Sequence, residues 1–302
     1  MAPESNSVLI VGLARNCSHV LESGLETLEA AFEWAKELQF LVIESDSSDG
    51  SLGVLQRVAA VKPNFCFVSL GRLRDKHPKR TDRIAQCRNH YVKLIRERPD
   101  YHNVDYVVVA DMDGVNSELT AAAVLTCWTQ HGWDVCAANQ SGPYYDIWAL
   151  RHPLWSPNDC QQQARFLRSN GVGIFRAITT SVYSRMIRIE PSSKWIEVDS
   201  AFGGLAIYRK EALESVRYWG LSDQGDEICE HVTAHAQMRS AGRRIFVNPA
   251  LINAGIVGPA RNAVGAGLFR LWFRCQAHEF AHWLGLVPSL KKTNATSKNY
   301  EA

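Results

Sequence analysis

Short apolar segments separated by helical patterns constrain this chain more than any other feature of its sequence. Four such segments occur in the first half, at residues 8–11, 40–43, 65–69 and 106–110. Continuous rather than alternating hydrophobicity is typical of strands buried on both faces of a parallel sheet. Helical patterns such as residues 20–37 and 81–98 lie between them. This alternation predicts an α/β layered fold.

Composition narrows the class of protein. Of 302 residues, 46% are hydrophobic and 21% are charged, which excludes a disordered chain, a collagen and a small disulfide scaffold. The formal net charge of only +2 disfavours a dedicated nucleic-acid binder. We therefore expect no nucleic acid among the partners.

Cysteine usage and the apolar segments bear on the cellular location. The eight cysteines are scattered and form no C-x-x-C pair, which predicts buried free thiols in a reducing compartment. The first residues lack the pattern of a signal peptide, and no segment reaches the ~18 uninterrupted apolar residues of a spanning helix. The expected location is cytoplasmic, with peripheral contact at the inner face of a membrane left open.

The sharpest chemical feature is a pair of carboxylates, Asp111 and Asp113, at the end of an apolar strand. The chain turns where a strand ends, so both side chains are able to converge on one divalent cation. Mg²⁺ and Mn²⁺ prefer such oxygen ligands and then carry phosphate oxygens. The carboxyl ends of strands are also where open α/β sheets bind ligands. A solvated acidic turn is the plainer explanation of an isolated D-x-D.

A second strand runs into the polar loop E-S-D-S-S-D-G-S, which begins at Glu44. Glu44, together with Asp46 and Asp49, is placed to accept hydrogen bonds from a nucleobase or a ribose. Ser and Asp are also the usual residues of turns and helix N-caps, and taken alone the loop favours that explanation.

Residues 71–98 form a basic block. They include ten Lys or Arg and three Asp or Glu, a net charge of +7, so the rest of the chain sums to −5. Arg83 and Arg88 lie in the helical pattern that precedes the D-x-D strand, and guanidinium groups suit phosphate. A solvated helix face would have a similar composition, but a diphosphate partner explains the basic block and the carboxylate pair together.

In this order the motifs resemble those of GT-A-fold nucleotide-sugar glycosyltransferases of the family 2 type. There the first loop usually reads D-D-G-S-x-D, the helix A-R-N-x-G and the later strand D-x-D. This chain departs from the pattern at Glu44, at Ser45 and at His90, which follows Asn89. The resemblance implies a GT-A-like, Rossmann-type α/β/α sandwich with a mostly parallel sheet, here with a C-terminal helical extension. It also implies transfer of a hexose-type sugar from a UDP- or GDP-sugar to a glycan or glycolipid acceptor, with Mn²⁺ or Mg²⁺.

The resemblance further implies roles for individual residues. The metal ligands would be Asp111, Asp113 and His231. The donor nucleotide would be bound by Ala14, Arg15, Glu44, Asp46, Arg83, Arg88, Asn89, Asp111 and Met112. The donor sugar or the acceptor would be bound by Asp146, Trp148, Phe202, Gly203, Gly204, Glu230 and His231. For Asp146 and Trp148 a Trp-rich core loop is an equally good explanation.

Glu230 is the candidate catalytic base, because the usual E-D pair of the family appears here as Glu230 followed by His231. It would deprotonate the acceptor hydroxyl as that oxygen attacks the anomeric carbon. His231 would position Glu230, ligate the metal or contact phosphate, and a structural histidine also remains open. His231 and His235 are four residues apart, but the H-E-x-x-H order of a zinc hydrolase is absent.

The last part of the chain predicts a separate helical segment. We divide the chain into a glycosyltransferase domain at 1–257, an amphipathic helical extension at 258–290 and a flexible tail at 291–302. The extension has aromatic and apolar residues at helical spacing, with Arg270 and Arg274 on another face: Phe269, Trp272, Phe273, Phe280, Trp283 and Leu284. A helix packed on the domain and a helix lying on a membrane surface both fit this pattern.

Two other functions share part of this sequence pattern. A sugar-phosphate nucleotidyltransferase would use metal carboxylates on a similar sheet, but the chain lacks a G-x-G-T-R loop near its first strand. A non-catalytic carbohydrate-binding protein would not need the D-x-D.

Overall fold

A computed structural model of the chain describes residues 3–283, so Leu284 and the predicted tail at 291–302 lie outside the described residues. The strands are β1 (Ser7–Ala14), β2 (Glu37–Glu44), β3 (Phe65–Ser69), β4 (Tyr106–Asp111), β5 (Val135–Gln140), β6 (Ile196–Val198), β7 (Leu205–Arg209) and β8 (Ile245–Ala254). The helices are α1 (Leu21–Ala31), α2 (Ser51–Val61), α3 (Arg80–Glu97), α4 (Ala121–Leu125), α5 (Cys160–Ser169), α6 (Ile174–Ser181), α7 (Lys210–Glu214), α8 (Glu230–Ser240), α9 (Ala260–Ala263) and α10 (Gly267–Trp283).

Within residues 3–283 the strands form one eight-stranded sheet in the order β3-β2-β1-β4-β7-β5-β8-β6. The pairs β1–β2, β1–β4, β2–β3 and β5–β8 are parallel. Strand β7 runs antiparallel to both β4 and β5, and β6 runs antiparallel to β8. The predicted α/β class with a mostly parallel sheet is therefore confirmed.

Hydrophobic residues are buried on both faces of this sheet, which explains the unbroken apolar strands of the sequence. Along β1, Leu9 and Val11 join one core with residues of α3, α7 and α8, whereas Val8 and Ile10 join the other with residues of α1, α2 and α4. Successive strand side chains point to opposite faces, so a strand covered on both sides must be apolar throughout. The predicted three-layer α/β/α sandwich follows.

The helix predicted over residues 20–37 ends earlier than its pattern suggests. The helix α1 stops at Ala31, and Glu37 already pairs with Ser7 as the first residue of β2. The Lys36 N–H is bonded to the Asn6 carbonyl at 3.0 Å. Strand pairing with β1 takes these residues out of the helix, because the chain must reverse direction before β2 begins.

The topology brings several chain segments to one edge of the sheet. Strands β1, β2, β4, β5 and β8 all point their carboxyl ends to this edge, and the antiparallel strand β7 begins there. We call it the carboxyl edge. It gathers the ends of strands that are far apart in sequence, as open α/β sheets do at their ligand sites.

Two further sequence predictions concern the cysteines and the membrane. All eight cysteines lie within residues 3–283 as free thiols, and all except the half-buried Cys66 are buried, as predicted. In this described range, every helix falls short of the length and apolar character of a membrane-spanning segment.

Candidate active site

The predicted metal carboxylates lie at the carboxyl edge. Asp111 ends β4 with 38% of its side chain exposed, and Asp113 follows in an exposed turn. Desolvation by burial and repulsion from Asp113 raise the pKa of Asp111 to about 8, although the nearby Arg88 opposes the shift. A carboxyl group with so much nearby negative charge favours an added proton or cation.

The complete predicted metal set is not assembled. Among residues 3–283, no three His, Cys, Asp or Glu side chains are grouped closely enough to hold a metal ion. This corrects the expectation that His231 joins Asp111 and Asp113, and the reason is that the His231 ring packs into a buried aromatic stack. The carboxylate pair alone still fits Mg²⁺ or Mn²⁺, because such ions often take one or two carboxylates and complete their shell with phosphate oxygens and water.

A buried ion pair connects α3 to α8 beside these carboxylates. Arg88 Nε donates to Glu230 Oε1 at 2.9 Å, and Arg88 Nη2 lies 3.9 Å from Asp111 Oδ1. Arg88 is 4% exposed and Glu230 is 6% exposed. Burial opposes the charge on Arg88, but Tyr91 and Glu230 outweigh it and raise the pKa of the guanidinium well above its ordinary value. The predicted donor residue and the predicted base thus lie in direct contact.

Aromatic rings enclose the Arg88 guanidinium. Its central carbon lies 5.4 Å from the Phe202 ring centroid and 5.7 Å from that of Tyr218. Arg88 Nη1 also donates to the Tyr91 hydroxyl at 3.3 Å. Cation–π contacts strengthen when the partners are desolvated, as here. Phe202, predicted to bind sugar or acceptor, therefore also forms part of the frame around Arg88.

His231 lies in the aromatic stack under Phe202. The two rings are 3.9 Å apart at 21°, and His231 is 3% exposed. Neither ring nitrogen has a hydrogen-bond partner within the described part of the chain. Burial, with added repulsion from Arg88 and His235, lowers the pKa of His231 well below its ordinary value, so the ring is neutral. Nε2 lies 3.7 Å from Glu230 Oε1, a packing distance that exceeds a hydrogen bond.

His235 is a structural histidine. Its Nδ1 is bonded to the Ser200 hydroxyl at 2.8 Å and its Nε2 to the Tyr208 hydroxyl at 2.9 Å. Both ring nitrogens are therefore occupied, which removes the zinc alternative that the spacing of His231 and His235 raised.

The double glycine lies at the start of β7, with both residues in the left-handed region: φ is +69° at Gly203 and +84° at Gly204. A Cβ at Gly203 would lie 2.7 Å from the Ala138 carbonyl oxygen, and one at Gly204 would lie 2.8 Å from the Tyr145 hydroxyl. The glycines are thus required by the packing of the chain itself. The Gly203 N–H donates to Asp146 Oδ2 at 3.0 Å, and burial raises the pKa of Asp146.

Three amides that the sequence analysis missed hold this glycine turn. Asn253 Nδ2 and Gln140 Nε2 donate to the Gly203 carbonyl at 2.8 and 3.1 Å. Asn116 Nδ2 donates to the carbonyls of Asp111 and Gly204 at 2.9 and 3.2 Å. The sequence contains a signal for two of them, because Gln140 and Asn253 are polar amides near the ends of apolar strands. Buried polar residues there must find partners.

The carboxylates of the first loop already have hydrogen-bond partners within the protein. The buried Glu44 accepts from the Ser47 N–H at 3.0 Å and from the Ser69 hydroxyl. The buried Asp46 accepts from the main chain and guanidinium of Arg74 at 3.0 and 3.2 Å. Asp49 accepts from the Ser51 N–H at 2.9 Å at the start of α2. The turn explanation of this loop is therefore realised, although the N-cap residue of α2 is Gly50. Nucleoside binding by Glu44 and Asp46 stays a prediction.

The remaining predicted donor residues lie around this loop and on α3. Ala14 is buried at the end of β1, and Met112 is buried with its side chain against Gly12. Arg15 is exposed, and burial together with the positive charges of Arg74, Arg83 and Arg80 lowers its pKa. Arg15, which follows β1, thus forms one basic cluster with Arg74, Arg80 and Arg83, which belong to the basic block of the sequence.

Three predicted binding side chains are engaged within the protein. Arg83 Nη1 donates to the carbonyls of residues 77 and 78 at 2.9 and 2.7 Å. The Asn89 side chain exchanges hydrogen bonds of 2.9 and 2.8 Å with the main chain of Tyr218. Trp148 packs on the core, and its indole donates to Asp159 at 2.9 Å. The core-loop explanation of Trp148 is realised, and these side chains position other elements of the site.

Comparison with known proteins gives matches among solved structures. No protein-family model and no curated protein matches the chain. The chain is similar to the mannosyltransferase PcManGT from Pyrobaculum calidifontis, solved with GDP-Man and Mn²⁺, at 13% identity over 83% of this chain and 56% of that one, with a TM-score of 0.47. It is also similar to S. aureus TarS in complex with UDP-GlcNAc, at 14% identity over 80% of this chain and 55% of that one, with a TM-score of 0.47.

A third similar structure is glucosyl-3-phosphoglycerate synthase from Mycobacterium tuberculosis with UDP. It is 14% identical over 84% of this chain and 71% of that one, with a TM-score of 0.40. The chain spans about half the length of the first two structures. At such low sequence identity, the similarity describes the backbone fold only. The roles of individual residues rest on the contacts described above.

Proposed function

We propose that this chain is a metal-dependent glycosyltransferase that moves a hexose-type sugar from a UDP- or GDP-sugar to a glycan or glycolipid acceptor. Two lines support the proposal: the motif order of the sequence, and the meeting of those motifs at one edge of the sheet. The carboxylates at the end of β4, the basic residues after β1 and on α3, and the acidic residue that begins α8 all lie there.

The observation that carries the proposal is the position of Arg88 between two acidic residues. Its guanidinium contacts Glu230 at 2.9 Å and approaches Asp111 at 3.9 Å. One side chain thus connects the proposed cation-binding carboxylate to the proposed base. Sugar transfer that inverts the configuration needs these two functions on opposite sides of one anomeric carbon.

Asp111 and Asp113 would hold Mg²⁺ or Mn²⁺ together with the donor diphosphate. When bound, the ion would act as a Lewis acid that neutralises charge on the leaving diphosphate. The basic cluster of Arg15, Arg74 and Arg83 adds positive charge beside the first loop. The chain itself thereby supplies donors suited to phosphate.

Glu230 would accept the proton of the acceptor hydroxyl in a single displacement if the reaction inverts the sugar configuration. A general base must come within about 3 Å of that proton's oxygen. The hydrogen bond from Arg88 and the contact with the His231 ring fix the carboxylate at the start of α8. A buried charged group with a strongly shifted pKa, such as the Arg88 guanidinium, is typical of functional sites.

The test is a panel of UDP- and GDP-sugars with Mn²⁺, followed by detection of the released nucleoside diphosphate. We expect slow hydrolysis or transfer with one donor, and a loss above about 100-fold in Asp111→Ala plus Asp113→Ala, since a Lewis-acid metal is worth several kcal/mol. Glu37→Ala plus Asp100→Ala is the matched control. It also removes two exposed carboxylates, but at the opposite edge of the sheet.

Other outcomes would assign a different function. Release of pyrophosphate from a nucleoside triphosphate would favour a nucleotidyltransferase. Sugar binding without turnover, unchanged in the double variant, would favour a carbohydrate-binding protein. If no nucleotide sugar binds or reacts, the proposal fails.

A further inference from the structure

The helix α10 is attached to the rest of the protein along one side. Leu271 and Cys275 are buried against Ile174 and Ile178 of α6. Glu279 Oε1 accepts from the Ile174 N–H at 2.6 Å and from Arg168 at 3.0 Å. These contacts hold α10 in one rotational orientation, so the outward direction of its other side chains is defined.

Aromatic side chains occupy an outward face of α10, which we call the aromatic face. Its members are Phe269, Trp272, Phe273 and Phe280, with exposures of 62%, 40%, 53% and 61%. The first three rings form a cluster with centroids 4.7 to 6.1 Å apart. At about 100° per residue, the four positions fall within an arc of roughly 100°. Large exposed apolar patches of this kind mark interaction surfaces.

Arginines border the aromatic face. Arg270 and Arg274 are both exposed and fall on the adjacent arc of the helix, beyond Phe273. The acidic residue of the described helix, Glu279, is engaged with Arg168. Aromatic rings beside arginines match the interface of an anionic bilayer, where rings enter the headgroup region and cations meet lipid phosphates. An isolated apolar protein partner would not require the basic border.

The position of α10 relates this face to the site. The segment that leads to it leaves the end of β8, at the same carboxyl edge as Asp111. A Cβ built at Gly258 would lie 3.8 Å from Tyr145, whose hydroxyl in turn lies against Gly204. The chain therefore passes beside Tyr145 and the glycine turn before α10 begins.

We propose that the aromatic face of α10 docks on the surface of an anionic phospholipid bilayer. The helix lies in the interface with its aromatic rings among the headgroups, and Arg270 and Arg274 contact the lipid phosphates. A further consequence rests on the proposed function. A glycosyltransferase docked in this way would act on an acceptor held in the same membrane, which makes the acceptor a membrane-borne, lipid-linked molecule.

The test is flotation of the full chain with phosphatidylcholine vesicles, with and without phosphatidylglycerol. We expect binding to the anionic vesicles only, and binding that weakens as salt screens the arginines. Phe269→Ser plus Phe273→Ser should weaken it about tenfold or more, since each ring loses favourable burial at the interface. Phe166→Ser on α5 is the matched control, because Phe166 is equally exposed at 66% but lies off the aromatic face. Arg270→Glu plus Arg274→Glu should reduce binding to the level seen with phosphatidylcholine.

Several outcomes would overturn the docking proposal. They are failure of the wild type to bind anionic vesicles, equal binding by the Phe269→Ser plus Phe273→Ser variant, or a dimer in solution that this variant dissociates. The last result would assign the face to a second copy of the chain. Donor hydrolysis in solution separates this proposal from the proposed function. If the chain binds vesicles but hydrolyses no donor, the docking proposal stands and the proposed function is contradicted. If it hydrolyses a donor but binds no vesicles, the proposed function stands and the docking proposal is contradicted.

Discussion

Replacing Glu230 by glutamine tests the buried ion pair with the smallest change of shape. The substitution keeps the volume of the side chain and removes its charge. Arg88 then remains almost fully buried, and its nearest other carboxylate oxygen is Asp111 Oδ1 at 3.9 Å. A buried guanidinium that loses its hydrogen-bonded partner carries an uncompensated charge.

The size of the effect follows from this burial. Removing one partner of a buried ion pair costs about 3–5 kcal/mol of unfolding free energy. The rings of Phe202 and Tyr218 retain part of the stabilisation of Arg88. We therefore expect Glu230→Gln to fall at the lower end, near 3 kcal/mol. The double variant Arg88→Met plus Glu230→Gln should recover part of this loss, because no buried charge remains.

Urea unfolding of the wild type, the two single variants and the double variant measures the coupling as a double-mutant cycle. Asp100→Asn is the matched control, since its ion pair with Arg98 joins side chains that are 60% and 38% exposed. Exposed pairs contribute only about 0–1 kcal/mol. If Glu230→Gln costs no more than Asp100→Asn, or if the single effects simply add, Arg88 and Glu230 do not form a charged pair in solution. The assignment of Glu230 as a carboxylate base would then be lost.

Two further predictions concern Asp111 and the glycine turn. Burial and the neighbouring Asp113 raise the pKa of Asp111 from 3.8 to about 8. Ionisation of Asp111 therefore opposes folding, and the free energy of unfolding falls as the pH rises from the first value through the second. Asp111→Asn should therefore melt at a higher Tm than the wild type above about pH 8 in EDTA and at the same Tm near pH 4; equal Tm values at both pH values would contradict the shift. Gly204→Ala should be less stable in urea than Gly242→Ala by about 1–3 kcal/mol. Both residues have positive φ, but only at Gly204 would a Cβ meet atoms within 4 Å, and equal losses would show that the turn repacks without strain.

The course of the chain could be predicted from local sequence. The apolar runs that predicted β1 to β4 lie within those strands, and Asp111 ends β4 as expected. Strands that are buried on both faces must form a central layer between two layers of helices. Parallel connections then place the carboxyl ends of these strands on one edge of the sheet. The meeting of Asp111, the first loop and the basic helix at that edge follows from these two constraints.

The local pattern could not show which polar groups would already be satisfied. Glu44 had the position of a nucleoside ligand, yet its carboxylate is bonded to Ser47 and Ser69. Asn89 matched a family motif, yet it holds the main chain of Tyr218, which is 129 residues away. A buried hydrogen bond depends on the distance between elements, and that distance is decided by how helices pack on the sheet.

Local sequence patterns specify the layered α/β fold, the edge at which the chemistry gathers and the residue types available there. The pairing of Arg88 with Glu230 across 142 residues depends on the folded chain, as does the packing of His231 under Phe202 instead of beside Asp111 and Asp113. Hydrophobic periodicity acts over a few neighbouring residues and therefore specifies strands and helices. The partners of a buried charge are specified by the angle and depth at which α3 and α8 meet the sheet, which depend on the packing of the whole core.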